Sequence, residues 1–289
     1  GFVLSLALVL FVPWRSAPCV RRAKGAPDAR PRSLFGWMWR RAEQRQRRGD
    51  SAWAAISYEQ LFELRATAKA SLGSEYAAAT MHDVNRAILQ PTCKKSGMCY
   101  AHAVNCDCLK YVQVFVSHSW AENFEEFVVG IEDSFRTWPV KPNLWICATA
   151  LLQSPDAATV SSQVGTGADP SKAPFTRALA RADKLLIVRN STVDIYERIW
   201  CCWELFMGYR MGLYDRPGAV MVAGPRSHCE AKQVSVESAE ASNELDKRNI
   251  LERIIKHEGG FDAINTILAN IRSFSCAEQP HVLRQSADP

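Results

Sequence analysis

Two short segments of the sequence carry side chains that could bind a ligand and act on it. Ser117-His118-Ser119-Trp120 ends a predicted strand and combines hydroxyl, imidazole and indole groups, which suit the binding of a base or a sugar. Trp200 and Glu204 are four residues apart in a predicted helix, so they share one helix face, with the indole one turn below the carboxylate. Both segments are therefore candidate parts of one ligand site, and Glu204 supplies its carboxylate. The predicted substrate-binding residues are Ser117, His118, Ser119, Trp120 and Trp200.

The elements that must position these side chains follow from the apolar pattern. From Tyr111 onward, short apolar runs alternate with amphipathic helices, which is typical of a parallel sheet covered on both faces. Right-handed crossovers then place these strands in one doubly wound, mainly parallel five-stranded sheet with flanking helices. Ligands bind beyond the carboxyl ends of such strands, where both segments lie. Strands are predicted at residues 112–117, 143–148, 184–188 and 219–223, with an edge strand near Val234.

Composition and periodicity divide the chain into five segments. These are an apolar then basic arm (1–50), a helical, Cys-rich lead-in (51–109), the α/β domain (110–225), an edge strand with C-terminal helices that complete this domain (226–275), and a tail (276–289). Asn123 and Glu126 predict a capping box for the first helix of the domain, and Thr80 is the predicted cap of a lead-in helix. Gly165-Thr166-Gly167 is expected to permit bending of a loop, since no strand precedes it directly as a phosphate-binding loop requires.

The formal net charge of +5 is concentrated at the N-terminus. Residues 1–50 hold 11 Lys/Arg against 3 Asp/Glu, whereas the remainder holds 24 against 27. We expect no nucleic-acid platform in the body of the protein, while the arm either contacts anionic lipid headgroups, acidic proteins or nucleic acid, or is a solvated tail. The uncharged run at residues 1–12 is shorter than the ~18–20 residues of a spanning helix, so it is either a truncated membrane anchor or an artefactual or disordered end. A signal-peptide core is a further alternative, but no basic segment precedes the run to support it. The expected location is cytoplasmic, with an N-terminal membrane tether as one alternative.

The ten cysteines favour a reducing compartment, because Cys201-Cys202 adjoin in an apolar helical pattern and the spacing is not that of secreted disulfide proteins. Residues 93–108 hold enough thiol and imidazole for a tetrahedral zinc site in principle. Their gaps are uneven, so ordinary reduced cysteines are preferred and no metal is predicted. The five side chains concerned are Cys93, Cys99, His102, Cys106 and Cys108.

Two motifs resemble those of TIR (Toll/interleukin receptor/resistance) domains. They are Val114-Phe115-Val116-Ser117, which ends the first predicted core strand, and Trp200-Cys201-x-x-Glu204, which opens a helix after the third. The resemblance covers residues 111–223. Its longer stretches, residues 141–147 and 175–190, are similar to divergent TIR-like proteins of protists. The resemblance implies the flavodoxin-like fold of that family and a role in signalling.

The resemblance also implies that Glu204 is the catalytic residue. Some TIR domains hydrolyse NAD at the nicotinamide–ribose bond with the glutamate of this helix motif. Nicotinamide in NAD is cationic and leaves neutral, so one carboxylate that stabilises an oxocarbenium-like ribose suffices, whereas glycosidases commonly need two. NAD is then a substrate, and no cofactor is implied. The sequence departs from many TIR enzymes at His118-Ser119-Trp120, where they have aromatic and basic residues, and in the long loop at residues 148–174.

Other TIR domains are adaptors, so a second hypothesis is a non-catalytic module that acts by homotypic assembly. Both hypotheses imply self-association and assembly with other TIR-like proteins. In the second, Glu204 is an exposed helix acid paired with Arg198 or Arg210, and Trp200 is a packing residue. Cys201 and Cys202 are predicted to be core residues under either hypothesis.

Overall fold

The computed structural model describes residues 47–164, 169–225 and 234–273. The predictions for the apolar run, for most of the basic arm, for the loop at Gly165-Thr166-Gly167 and for the tail lie outside the described residues. Within the described residues, none of the helices combines the length and the apolar character needed to cross a membrane.

The centre of the fold is one five-stranded sheet, as expected from the sequence. The strands are β1 (Ile56–Ser57), β2 (Val114–Ser117), β3 (Asn143–Ile146), β4 (Lys184–Val188) and β5 (Val220–Ala223). Their order in the sheet is β1-β3-β2-β4-β5. The strands β3, β2, β4 and β5 are parallel to one another, and β1 pairs antiparallel with β3. The fold is therefore mixed α/β with a mostly parallel sheet.

The fifth strand is not the one predicted near Val234. Val234 is buried but outside any strand, and in this part of the described chain only Glu240 bridges to another segment, at Arg198. The edge position beside β3 is instead taken by Ile56–Ser57, from the segment predicted as a helical lead-in. A strand of two residues is too short to show the alternation on which strand prediction depends.

Helices connect the consecutive parallel strands of the sheet. They are α1 (Tyr58–Leu72), α2 (Met81–Val84), which continues through the π-turn Asn85–Leu89 into α3 (Gln90–Ser96), α4 (Tyr100–Val104), α5 (Phe124–Phe135), α6 (Cys147–Ala150), α7 (Ala157–Val164), α8 (Pro174–Leu179), α9 (Ile199–Arg210), α10 (Glu244–Ile255) and α11 (Gly260–Ser273). Of these, α5 follows β2, α8 precedes β4, and α9 follows β4 and leads towards β5.

The predicted helix caps are present, one of them in altered form. Thr80 and Asp83 form a capping box at the start of α2, which confirms Thr80 as a cap. Asn123 accepts from the backbone nitrogen of Glu126 at 3.0 Å and so caps α5. The Glu126 carboxylate does not complete the predicted box, because it accepts from the backbone nitrogen and the hydroxyl of Ser191. That side chain thus fastens α5 to the loop after β4.

One hydrophobic core joins the lead-in to the sheet. Phe115 of β2 stacks on Trp145 of β3 with ring centroids 4.9 Å apart. The Trp145 indole nitrogen donates to the carbonyl of Ser51 at 2.8 Å. Leu61 and Leu64 of α1 are buried in the same cluster of apolar side chains. Residues before Lys110 therefore contribute to the hydrophobic core of the sheet.

Candidate functional site

Ser117 and Glu204 meet at the carboxyl edge of the sheet. Ser117 is the last residue of β2, and Glu204 lies in the second turn of α9, the helix after β4. The Ser117 hydroxyl donates a hydrogen bond to Glu204 Oε2 at 2.6 Å. Because β2 and β4 are adjacent and parallel, their carboxyl ends bring the two segments together, although 87 residues separate them in the chain.

The Glu204 carboxyl group is buried. The residue is 6% exposed, and burial raises its pKa to about 7, against the hydrogen bond from Ser117 and the charge of His118, which lower it. Within the described part of the chain no ion pair reaches Glu204, and Arg198 instead donates to the Ser242 hydroxyl. Glu204 thus differs from the exposed, ion-paired acid of the adaptor hypothesis.

The imidazole of His118 is held between two groups that were not predicted as site residues. Its Nδ1 lies 2.6 Å from Glu122 Oε1, and its Nε2 lies 3.3 Å from Cys147 Sγ. Burial acts to lower the pKa of His118, but Cys147 and Glu122 outweigh burial and hold the pKa well above its ordinary value. The ring also packs against Phe127, with centroids 4.9 Å apart. His118 is therefore a member of a buried polar cluster, and its ring faces Glu122 and Cys147.

Glu122 anchors this cluster from inside the protein. The residue is fully buried, and burial raises its pKa to about 7 against the opposing effect of His118. Its Oε1 contacts His118, while its Oε2 has no hydrogen-bond partner among the described residues. The spacing of four residues from His118 is a sequence signal for contact in a helix, but the segment between them is a turn. That difference explains why the sequence pattern did not indicate this pair.

Ser119 and Trp120 lie at the same edge without contacting Glu204 through any hydrogen bond of the described structure. Ser119 is buried, and its hydroxyl has no hydrogen-bond partner in the part of the chain that the structure describes. The indole nitrogen of Trp120 donates to Cys147 Sγ at 3.1 Å, and its ring packs on His82 with centroids 5.4 Å apart. Among the predicted substrate-binding residues, Ser117 is the one that hydrogen-bonds Glu204.

Trp200 is a packing residue in this structure. Its ring lies 5.0 Å, centroid to centroid, from that of Phe175 in α8, and the side chain is half-buried. The predicted one-turn spacing from Glu204 holds, because both residues belong to α9. Trp200 therefore helps to hold α9 against α8, which fixes the position of Glu204.

Cys147, Cys201 and Cys202 complete the surroundings of the site. Cys201 and Cys202 are buried, which confirms them as core residues, and burial raises the pKa of the Cys202 thiol to about 12. The Cys201 thiol donates to the carbonyl of His118 at 3.3 Å. Cys147 follows the last residue of β3, so it reaches the same carboxyl edge. Cys147 lies inside the strand predicted at residues 143–148, so the sequence pattern does not indicate its place at the carboxyl edge, which follows from the earlier end of β3 at Ile146.

The lead-in cysteines form no metal centre within the described residues, where no group of three or more suitable side chains comes together. Cys106 is disulfide-bonded, so the expectation of reduced thiols does not extend to it. Cys93, Cys99 and Cys108 are free thiols. His102 is buried, and burial lowers its pKa to about 4.

No family model, curated protein or solved structure matches this chain. Its function must therefore be argued from the carboxyl edge itself, where Ser117, Glu204, His118, Glu122 and Cys147 converge.

Proposed function

We propose that this chain is a TIR-like signalling domain with a flavodoxin-like fold, and that it cleaves NAD at the nicotinamide–ribose bond through Glu204. The hydrogen bond between the Ser117 hydroxyl and Glu204 Oε2 is the observation that carries the proposal. It joins, at one edge of the sheet, the two motifs on which the resemblance to TIR domains depends.

The sheet order supports the flavodoxin-like assignment. Among the parallel strands, the first in the chain, β2, lies between the second, β3, and the third, β4, and β5 lies beyond β4. A flavodoxin-like sheet has this order, and its ligands bind where the chain direction reverses, between the first and third of these strands. Ser117 ends β2 and Glu204 follows β4, so both residues lie at that position.

The state of Glu204 supports a chemical role. Burying a carboxyl group destabilises a fold relative to an apolar side chain, and carboxyls with strongly shifted pKa values are concentrated at functional sites. As the bond from ribose to nicotinamide breaks, the electron pair leaves with nicotinamide and positive charge develops on the ribose. The ionised Glu204 would stabilise that charge, and water would then add to the ribose carbon and release a proton to solvent. Ser117 would hold the carboxylate in place.

Replacement of Glu204 by glutamine tests this proposal. Glutamine keeps an acceptor for the Ser117 hydroxyl but carries no charge, so the expected result is a fall in nicotinamide release of at least roughly a hundredfold. The assay is nicotinamide release from NAD by concentrated protein and by protein bound at high density to a surface. Glu252→Gln, an exposed position in α10, is the matched control and should release nicotinamide at the wild-type rate. Equal release by wild type and Glu204→Gln would refute the role of Glu204.

The small exposed fraction of Glu204 supports a second candidate, a TIR-like module that works by homotypic assembly without catalysis, in which the carboxyl group is a buried structural group and not the exposed acid first expected. With 6% of the residue exposed, NAD reaches the carboxylate only if the edge opens. In the enzyme proposal, self-association of the domain supplies this opening, and nicotinamide release per protein rises with protein concentration. In the adaptor proposal, the protein self-associates but releases no nicotinamide. Sedimentation and NAD turnover measured on the same samples distinguish these two outcomes.

A further inference from the structure

A second chemical centre lies beside Glu204, at the carboxyl end of β3. Cys147 Sγ is 3.3 Å from His118 Nε2, and His118 Nδ1 is 2.6 Å from Glu122 Oε1. The three side chains thus form a chain of contacts from thiol to imidazole to carboxyl. A nucleophile, a base and a group that orients the base have this arrangement in enzymes with activated thiols.

The contacts orient the imidazole ring. An ionised Glu122 Oε1 can only accept, so Nδ1 then carries a hydrogen in both the neutral and the protonated ring, and Nε2 is the nitrogen that exchanges a proton with the Cys147 thiol. The lone pair of Nε2 then points at Cys147 Sγ and can take the thiol proton. The indole nitrogen of Trp120 donates to the same sulfur at 3.1 Å, a contact that stabilises negative charge on it. No other thiol among the described residues has both an imidazole and an indole partner.

We propose that Cys147 is an activated thiol, and that this edge of the sheet is a site of covalent modification by small, soft electrophiles. In the reaction, His118 Nε2 takes the proton of Cys147, and the thiolate attacks the electrophilic carbon. With a haloacetamide, the new bond joins sulfur to carbon, the carbon–halogen bond breaks, and halide leaves with the bonding pair. The proton stays on the imidazole ring, where Glu122 balances its charge. This inference does not depend on any activity of Glu204.

Burial alone does not produce such a site, because two other cysteines of similar exposure have different surroundings. Cys147 is 8% exposed, Cys99 is 6% exposed and Cys201 is 5% exposed. Burial raises the pKa of Cys99 to about 12 and that of Cys201 well above its ordinary value. Neither has an imidazole within hydrogen-bond distance in the described structure. The thiols of Cys99 and Cys201 are therefore internal controls for the access of a reagent to a buried cysteine.

The test uses the full chain and iodoacetamide, with the labelling rate of each cysteine measured by mass spectrometry of its peptides. We expect Cys147 to react at least roughly tenfold faster than Cys99 and Cys201, because the imidazole supplies the thiolate form. His118→Asn should lower the Cys147 rate to that of the two controls. Glu122→Gln should lower it by a smaller factor, because the new amide would still contact the ring without balancing its charge.

The fully buried Cys202 reports on folding in the same experiment. A variant that unfolds labels Cys202 quickly, whereas a folded variant protects it, so the rate at Cys147 is compared only among proteins that protect Cys202. If His118→Asn does not protect Cys202, the labelling rate of Cys147 in Glu122→Gln decides whether the proposal holds. Labelling of Cys147 no faster than Cys99 and Cys201 in the wild type would overturn the proposal. An unchanged Cys147 rate in a folded His118 or Glu122 variant would also overturn it.

Discussion

At the scale of single residues, the protonation of Glu204 is set by opposing effects. Burial raises its pKa, while the Ser117 hydroxyl and the charge of His118 lower it, and the result is a pKa of about 7. Both protonation states are therefore populated near neutral pH. Only the ionised state can stabilise a cationic ribose, so small changes in the surroundings of Glu204 should change activity.

Ser117→Ala tests the contribution of the hydroxyl. Loss of its hydrogen bond to Oε2 removes a group that favours the ionised carboxylate, so the pKa of Glu204 should rise further. Titration of the Glu204 carboxyl carbon by NMR measures this shift. Ser134→Ala, which removes a hydroxyl that contacts the Gly130 carbonyl in α5, is the control and should leave the pKa of Glu204 unchanged. A fall in the pKa in Ser117→Ala would contradict the assignment of the hydroxyl as donor.

The raised pKa of Glu204 also predicts how stability depends on pH. Between its ordinary value of 4.5 and about 7, the folded protein retains a proton that the unfolded chain has lost. The contribution of Glu204 to stability therefore falls as pH rises through this window. Glu204→Gln lacks this loss, so its stability relative to wild type should increase with pH, by on the order of 1–3 kcal/mol in total. Urea unfolding at several pH values measures the difference, and a difference independent of pH would exclude a raised pKa.

At the scale of secondary structure, the sequence predicted well the elements whose apolar pattern is long. The strands β2, β3, β4 and β5 and the helix α9 lie where periodicity placed them, although β3 ends two residues early because Cys147 opens the short helix α6. The missed strand β1 has two residues, and its pairing with β3 is decided by the long-range packing of the lead-in. Propensity within a short window cannot report such packing.

The cap at Asn123 is expected to contribute to the stability of α5. Its side chain accepts from the backbone of Glu126 at 3.0 Å, and Asn123→Ala leaves that donor without this partner. The expected cost is about 1 kcal/mol in the free energy of unfolding. Urea denaturation measures it. Glu63→Ala at an exposed position inside α1 should change stability by no more than about 0.5 kcal/mol, and an equal cost for both variants would exclude a specific role for the cap.

Some side-chain contacts of the site could be predicted from the sequence and others could not. The contact of Ser117 with Glu204 could be predicted, because both follow parallel strands whose carboxyl ends meet at one edge. The contacts of His118 with Glu122 and Cys147 could not be predicted, because they depend on the path of a turn and on the residue at which β3 ends. Side-chain direction after a strand is set by local geometry that periodicity does not describe.

At the scale of the whole molecule, the lead-in and the sheet share one core. β1 extends the sheet beside β3, and the Trp145 indole nitrogen donates a hydrogen bond to the Ser51 carbonyl. A chain that begins at Lys110 should therefore lose cooperative unfolding, because it removes an edge strand and the buried face of α1. A chain that begins at Arg47 keeps both and is the control. Thermal melts followed by circular dichroism compare the two, and a cooperative transition in the shorter chain would show that the α/β part folds alone.

The most direct test of the proposed function is the pH dependence of nicotinamide release from NAD by the self-associated wild type, measured beside Glu204→Gln. Because the ionised carboxylate is the active form and its pKa is about 7, wild-type release should rise on the order of tenfold or more between about pH 5.5 and pH 8.5. Glu204→Gln should show no comparable rise. Absence of nicotinamide release by the wild type across this range, or the same profile in Glu204→Gln, would contradict the account.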